Sequence, residues 1–251
     1  LGETKTPGME FKHVRIFNNI LYNTKREGIQ IANMPEDIEI YNNLILNSGT
    51  DHAFSHGNNL QIGDNSVANI YNNILINAPE NGIIVLGSGD ISIQNNYLEN
   101  NMGIFIDNRS VTIEDGEIII NDNYFYEISN ETIISNLNEL NTISLFDNTW
   151  NGNLSFLKNN SENPSNLNEW NNLNQSFKAL SLVSPANNNF NLSKDNPEKF
   201  SQMGPLEGLP FVFNYRPKLD PINDIYIDWD KDTSIIINAS IEDDDILEFT
   251  I

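Results

Sequence analysis

The sequence predicts an all-β chain, wound as a right-handed parallel β-helix solenoid and followed by an incomplete β-sandwich segment. Two observations predict the solenoid: a ten-residue phrase that keeps returning, and a period of two inside each copy. The phrase reads VRIFNNILYN (14–23), IEIYNNLILN (38–47), ANIYNNILIN (68–77) and ISIQNNYLEN (91–100). Weaker copies are IIINDNYFYE (118–127) and ISLFDNTWNG (143–152). Aligned on the second residue of the central pair, the copies place Asn19, Asn43, Asn73, Asn96, Asn123 and Asn148 at intervals of 24, 30, 23, 27 and 25 residues. A repeat of that length marks a solenoid. Apolar residues alternate on both sides of the pair, so each copy is a strand, a bend and a strand. β-branched residues and Asn dominate, which fits strands and disfavours helices.

A further short strand follows most copies: GIQIAN (28–33), NLQIGDN (59–65), NGIIVLG (81–87) and MGIFIDN (102–108). One turn therefore reads strand, Asn corner, strand, polar loop, Gly, strand. Over residues 11–152 this pattern resembles the repeat of the pectate-lyase-like superfamily of parallel β-helices. The resemblance implies the fold. It leaves activity open, because lyases, hydrolases, epimerases and adhesive stalks share the repeat.

The corners explain why Asn recurs. A bend between parallel strands needs a residue that tolerates the left-handed region, and Asn does so better than other non-Gly residues. With coils in register, the second Asn of each pair stacks on its equivalents about 4.8 Å away. Amides at that spacing can bond along the stack. Ile16, Ile40, Ile70, Ile93 and Ile120 are expected to form an inward column closed by Ile143 or Leu145, with Ile31, Ile62, Val85 and Ile106 as a second.

Composition narrows the function classes. There are no Cys residues, so disulfides and thiolate metal sites are excluded. No apolar run reaches the roughly 18 residues of a membrane span. Lys and Arg number 13 against 35 Asp and Glu, a net charge of -22. That field opposes nucleic acid and anionic membranes. It suits divalent cations or a solvated extracellular surface. The expected setting is therefore secreted or on a cell surface, and the bacterial segments that residues 181–208 and 216–251 resemble, described next, imply a bacterial one. The 13 residues before the first full strand make a thin cover for an open edge, so residues upstream of Leu1 are expected.

The expected domains are coils over 1–153, an irregular capping tail and linker over 154–215, and the first part of a sandwich over 216–251. The longest interval holds SGTDHAFSHGNN (48–59), the kind of insertion on which solenoids build binding surfaces. Residues 163–174 are expected to hold a short helix capped by Ser165. The stretch 181–208 resembles in part the tail that follows many bacterial β-helix domains, which implies a segment lying down the side or over the last coil; covering the final hydrophobic rung is the expected role. Residues 216–251, RPKLDPINDIYIDWDKDTSIIINASIEDDDILEFTI, resemble the opening of cadherin-like or immunoglobulin-like bacterial repeats. About 36 residues cannot close a sandwich that needs around 100, so the chain is expected to continue. Asp243 and Asp245 fall where such repeats carry calcium ligands; an ordinary solvated turn fits the same residues.

Chemistry is carried by few groups. Lyases of the resembled superfamily use a Lys, Arg or His base beside a uronate carboxyl that a cation neutralises. Lys25 and Arg26 sit in one polar loop, and His52 and His56 in the equivalent loop one coil later. Stacked loops would bring these four to one face as catalytic candidates, with Arg109, Asp64 and Asp107 as substrate-binding candidates. Ordinary solvated loop residues are the competing interpretation. The paired Asp with Gly-His-Gly of polygalacturonases and the Asp-Pro-His-Glu phrase of alginate epimerases are absent, and there is no nucleophile elbow. Two functions are expected: a carbohydrate-active fragment that binds an acidic polysaccharide and, if catalytic, cleaves it by β-elimination; or a non-catalytic stalk or adhesin contacting other cell-surface components.

Overall fold

The computed structural model describes residues 10–51, 56–86, 89–107, 116–136, 142–159, 167–187, 189–205, 218–219 and 239–240. The chain divides into two units, 1–207 and 208–251. The first is a parallel β-helix of six coils and two strands of a seventh. Its first sheet stacks Lys12–Phe17, Glu36–Tyr41, Ala68–Tyr71, Ile91–Gln94, Glu117–Asn121, Thr142–Phe146 and Leu167–Trp170 in that order. The second stacks Ile20–Tyr22, Leu44–Leu46, Ile74–Ile76, Tyr97–Glu99, Tyr124–Tyr126, Thr149–Trp150 and Leu173–Asn174. The third stacks Ile29–Ile31, Leu60–Ile62, Ile83–Val85, Ile104–Ile106, Thr132–Asn136 and Ser155–Asn159.

Register follows the apolar columns. Ile16, Ile40, Ile70, Ile93, Ile120 and Leu145 are stacked partners. Leu145 closes the column, because Ile143 pairs with Ile118 one position over. Ile31, Ile62, Val85 and Ile106 stack as expected, and the buried Asn136 follows them. Leu21, Ile45, Leu75, Leu98, Phe125 and Trp150 complete the core from the second sheet. The coils carry on past residue 153. Over its described part, the helix expected at 163–174 is replaced by Leu167–Trp170 and Leu173–Asn174, which pair in parallel with the coil below. Asn172 takes the next place in the stack, and ladder bonding outweighs the local helix signal.

The two uses of Asn fall on different residues. The first of each pair bends the chain: Asn18, Asn42, Asn72, Asn95, Asp122, Asp147 and Asn171 have φ between 51° and 57°. The second builds the ladder. Each Nδ2 donates to the next Oδ1 at 2.9–3.0 Å, from Asn19 through Asn172. The same Oδ1 accepts the backbone N–H of the Asn below at 3.0–3.1 Å. Each Nδ2 from Asn43 onward also reaches a strand carbonyl of the previous coil at 2.8–3.1 Å. A second ladder joins Asn23, Asn47, Asn77 and Asn100 at the next corner, again in left-handed backbone.

The second sheet is buried on both faces, which explains its unbroken apolar triplets LIL and ILI. Its outer face is covered by the tail. Leu180, Phe190, Phe200 and Met203 pack on Leu44, Leu46, Ile74, Ile76 and Tyr97. Phe200 is fully buried, edge-on to Tyr97 and Tyr124, and Lys199 Nζ lies 4.1 Å from the Tyr124 ring centroid. Phe190 meets Tyr22 in the first coil, and Gly204 N–H donates to Asn72 O at 2.7 Å. Gly204 has φ +70°, and a Cβ there would stand 2.6 Å from Ile74 Cδ1. The tail thus runs down the side of the solenoid. Its described part does not cover the final rung, where the inner-column positions Glu169 and Asn174 are exposed; the outer apolar face of the second sheet is the surface it buries. In the second unit, Lys218–Leu219 and Ala239–Ser240 form an antiparallel pair. The rest of the expected sandwich lies outside the described residues.

The ladder predicts unequal costs along the stack. Asn73→Leu removes bonds to Asn43, Ile40 and Asn96 and leaves the buried Asn43 N–H without its acceptor. The expected loss is about 3 kcal/mol, against roughly 1 kcal/mol or less for the exposed Asn19→Leu. Equal melting temperatures for the two variants would contradict this. The tail predicts a pH effect. Leu180 N–H donates to the Tyr97 hydroxyl, which donates to Glu99 Oε2 at 2.6 Å. Burial, offset by that hydrogen bond and reinforced by Glu127, raises the Glu99 carboxyl above its usual value of 4.5. An acid raised on folding favours the folded state below its unfolded pKa and loses that advantage as pH rises through the folded one. Glu99→Gln, which still accepts from Tyr97, should therefore melt higher than the unsubstituted protein at pH 7, with the gap closing below pH 4.5. Thermal melts at both pH values decide it.

Candidate functional site

The third sheet carries a groove of about 600 Å³ on its outer face. Its axis follows the outward column Gln61, Ile84, Phe105, Ser135 and Lys158, one residue per coil. Strand alternation places these side chains outward, while their neighbours Leu60, Ile83, Ile104 and Ile134 face the core. Ile84 and Phe105 make an apolar strip that Leu86 and Met102 extend. Asn81, Asn130, Thr132 and Ser135 add hydrogen-bonding groups, and Glu80, Glu131, Lys158 and the imidazole of His56 complete the polar lining.

The long insertion builds one edge. Its two legs meet at Gly49 and Gly57, where a Cβ on Gly49 (φ +70°) would lie 2.5 Å from Gly57 Cα. Asn59 Nδ2 ties the stem to Ser48 Oγ at 2.9 Å. The closed stem sets His56 at the groove edge, where Nδ1 lies 2.8 Å from Glu27 Oε1. The Glu27 side chain is 4% exposed, against 40% for His56. Gly57 N–H donates to Glu80 Oε2 at 3.4 Å.

Of the described residues among those singled out from the sequence, His56 alone lies in this lining. The loops of Lys25 and Arg26 do stack on the next coil: Gly49, Thr50 and Asp51 N–H groups donate to Arg26, Thr24 and Lys25 carbonyls. Both side chains are exposed and outside the groove. Asp64 and Asp107 end third-sheet strands at half-buried positions, also outside the lining. His52, Arg109, Asp243 and Asp245 lie outside the described residues. The lining residues not foreseen include Glu80, Glu131, Gln61, Phe105 and Lys158. The signal for Gln61, Phe105 and Lys158 was the outward position of each third strand. Among the described residues no group of three or more His, Asp or Glu is placed to hold a metal ion.

Other cations of the early coils are engaged in pairs. Lys12 meets Glu36 at 2.7 Å, His13 meets Asp37 at 2.9 Å, and Arg15 bridges Asp37 and Glu39. The hydrogen bonds from His13 and then Arg15 hold the Asp37 carboxyl below its usual value. Beside them Phe17, Tyr41 and Tyr71 stack with ring centroids 4.9–5.0 Å apart. Those rings face one another along the axis and so present mainly edges to a ligand. No family model, curated protein or solved structure matches the chain.

The His56–Glu27 pair has a stability consequence. His56→Ala leaves a nearly buried carboxylate without this partner, so it should melt lower than Lys158→Ala, whose position is exposed. Adding Glu27→Gln to His56→Ala should recover most of the loss. A His56→Ala melt equal to that of Lys158→Ala would show that the pair contributes nothing.

Proposed function

We propose that the third-sheet groove binds a glycan chain laid along the solenoid axis, and that the protein is a carbohydrate-binding β-helix of the cell exterior. The observation that carries this is the apolar strip of Ile84 and Phe105 on two adjacent rungs, flanked along the same column by the hydrogen-bonding Gln61 and Ser135. Sugars offer apolar faces and hydroxyl edges, and such a strip matches both. The parallel β-helix is compatible with carbohydrate-active and adhesin-like proteins alike. The charge of -22 and the absence of Cys support an extracellular setting. No helix among the described residues is long and apolar enough to cross a membrane.

Binding is better supported than cleavage. β-Elimination needs a base and a cation beside the uronate carboxyl. His56 would be the base, but Lys25 and Arg26 do not join it, and Lys158 stands four rungs from Gln61, about 19 Å by strand spacing. An unbroken ladder of seven Asn also suits a stiff stalk, on which the same groove would act as an adhesive face.

Titration calorimetry against neutral, amino-sugar and uronate hexamers tests the proposal. At least one hexamer should bind, and Phe105→Ala should weaken it about tenfold, roughly the loss of one apolar contact. Absorbance of the uronate mixture with calcium present would reveal new double bonds if cleavage occurs. No binding to any hexamer would leave the plain stalk as the better account.

A further inference from the structure

Resting on the glycan-binding role proposed above, we infer that the preferred chain carries amino groups rather than carboxylates. The charges around the groove point to this class. Glu80 and Glu131 lie in the lining, and the carboxylate of Glu80 is anchored at the rim by Gly57 N–H. The imidazole of His56 is held by the carboxylate of Glu27, so that pair is closed on itself. Lys158 is the one Lys or Arg of the described lining, and it belongs to the last rung of the sheet. A ligand over Ile84 and Phe105 therefore has one carboxylate residue, Glu80, in the coil of its first rung and another, Glu131, one rung beyond its second.

The spacing of those two residues is set by the coils. Glu80 precedes the strand Ile83–Val85, and Glu131 precedes Thr132–Asn136, two rungs later. The strand separation makes that about 9.6 Å, the span of a disaccharide unit in an extended chain. Two ammonium groups one disaccharide apart would each meet a carboxylate while the sugar rings rest on the apolar strip. The surrounding charge of -22 acts in the same direction. It repels a polyuronate, leaves a neutral chain unaffected and draws in a polyamine sugar.

A polycation binds any acidic surface to some extent, so the test must isolate the groove. A glucosamine hexamer, its N-acetylated counterpart and a galacturonate hexamer are titrated into the full chain at low salt. The glucosamine hexamer should bind about tenfold more tightly than the acetylated one, and the galacturonate most weakly. Two double variants remove the same charge at different places. E80Q with E131Q changes the groove. D122N with D147N changes two left-handed corners where other coils already carry Asn, so the fold accepts it. The groove variant should erase the tenfold preference for glucosamine while retaining the acetylated hexamer, and the corner variant should change it by less than about twofold. Salt of about 0.5 M should shrink the preference in the unsubstituted protein. Tighter binding of galacturonate, equal binding of the two amino-sugar hexamers, or equal effects of the two double variants would overturn the inference while leaving the groove as a glycan site. Binding of none would overturn both.

Discussion

Everything in the solenoid depends on one side chain repeated once per coil. A parallel coil leaves backbone groups at its corner that neither adjoining strand can pair, and buried groups of that kind are costly. The inner Asn amide takes three of these duties at once. It accepts from the backbone of the coil below, donates to a carbonyl of that coil, and donates to its own equivalent above. The last of these bonds fits the rung spacing of the three parallel sheets, so the corner ladder and the Ile columns repeat in one register.

The groove arises where this regularity is interrupted. Coil lengths differ because connections of different size are inserted at two corners, before the third sheet between Leu46 and Leu60 and after it between Ile106 and Glu117, and the largest falls between Asn43 and Asn73. Its stem closes through two glycines and places one imidazole at the edge of an otherwise repetitive face. The strands beneath supply the lining in a fixed order, one side chain per rung. A solenoid can thus alter its ligand by changing outward residues without disturbing the inner ladder.

How much of this could be read from the sequence follows from the kind of interaction involved. The Asn register and the columns led by Ile40 and Ile31 were legible because each is a local pattern repeated many times. The tail on the second sheet was only half legible. Its resemblance allowed a place down the side or over the last coil, but which apolar face it covers depends on contacts distant in sequence, such as Phe200 on Tyr97. The strand at Leu167–Trp170 was hidden because NPSN followed by NEW resembles a helix start until the coil below is there to pair with it. The candidate site was least legible. Lys25, Arg26 and His56 are near one another in repeat position, yet the loops turn their side chains to different surroundings. Glu80 and Glu131 share a groove with no sequence motif connecting them.

The tail also changes what the solenoid is as a mechanical object. A stack of coils held only by nearest-neighbour contacts would peel from an end one coil at a time. Here one segment is fastened to the first coil through Phe190 and Tyr22, to the third through Gly204 and Asn72, and to the fourth and fifth through Phe200. Tension applied along the axis would have to strip this brace before the coils beneath it could separate. The solenoid is therefore closer to a laced rod than to a spring, with a few aromatic fastenings on one side resisting its separation.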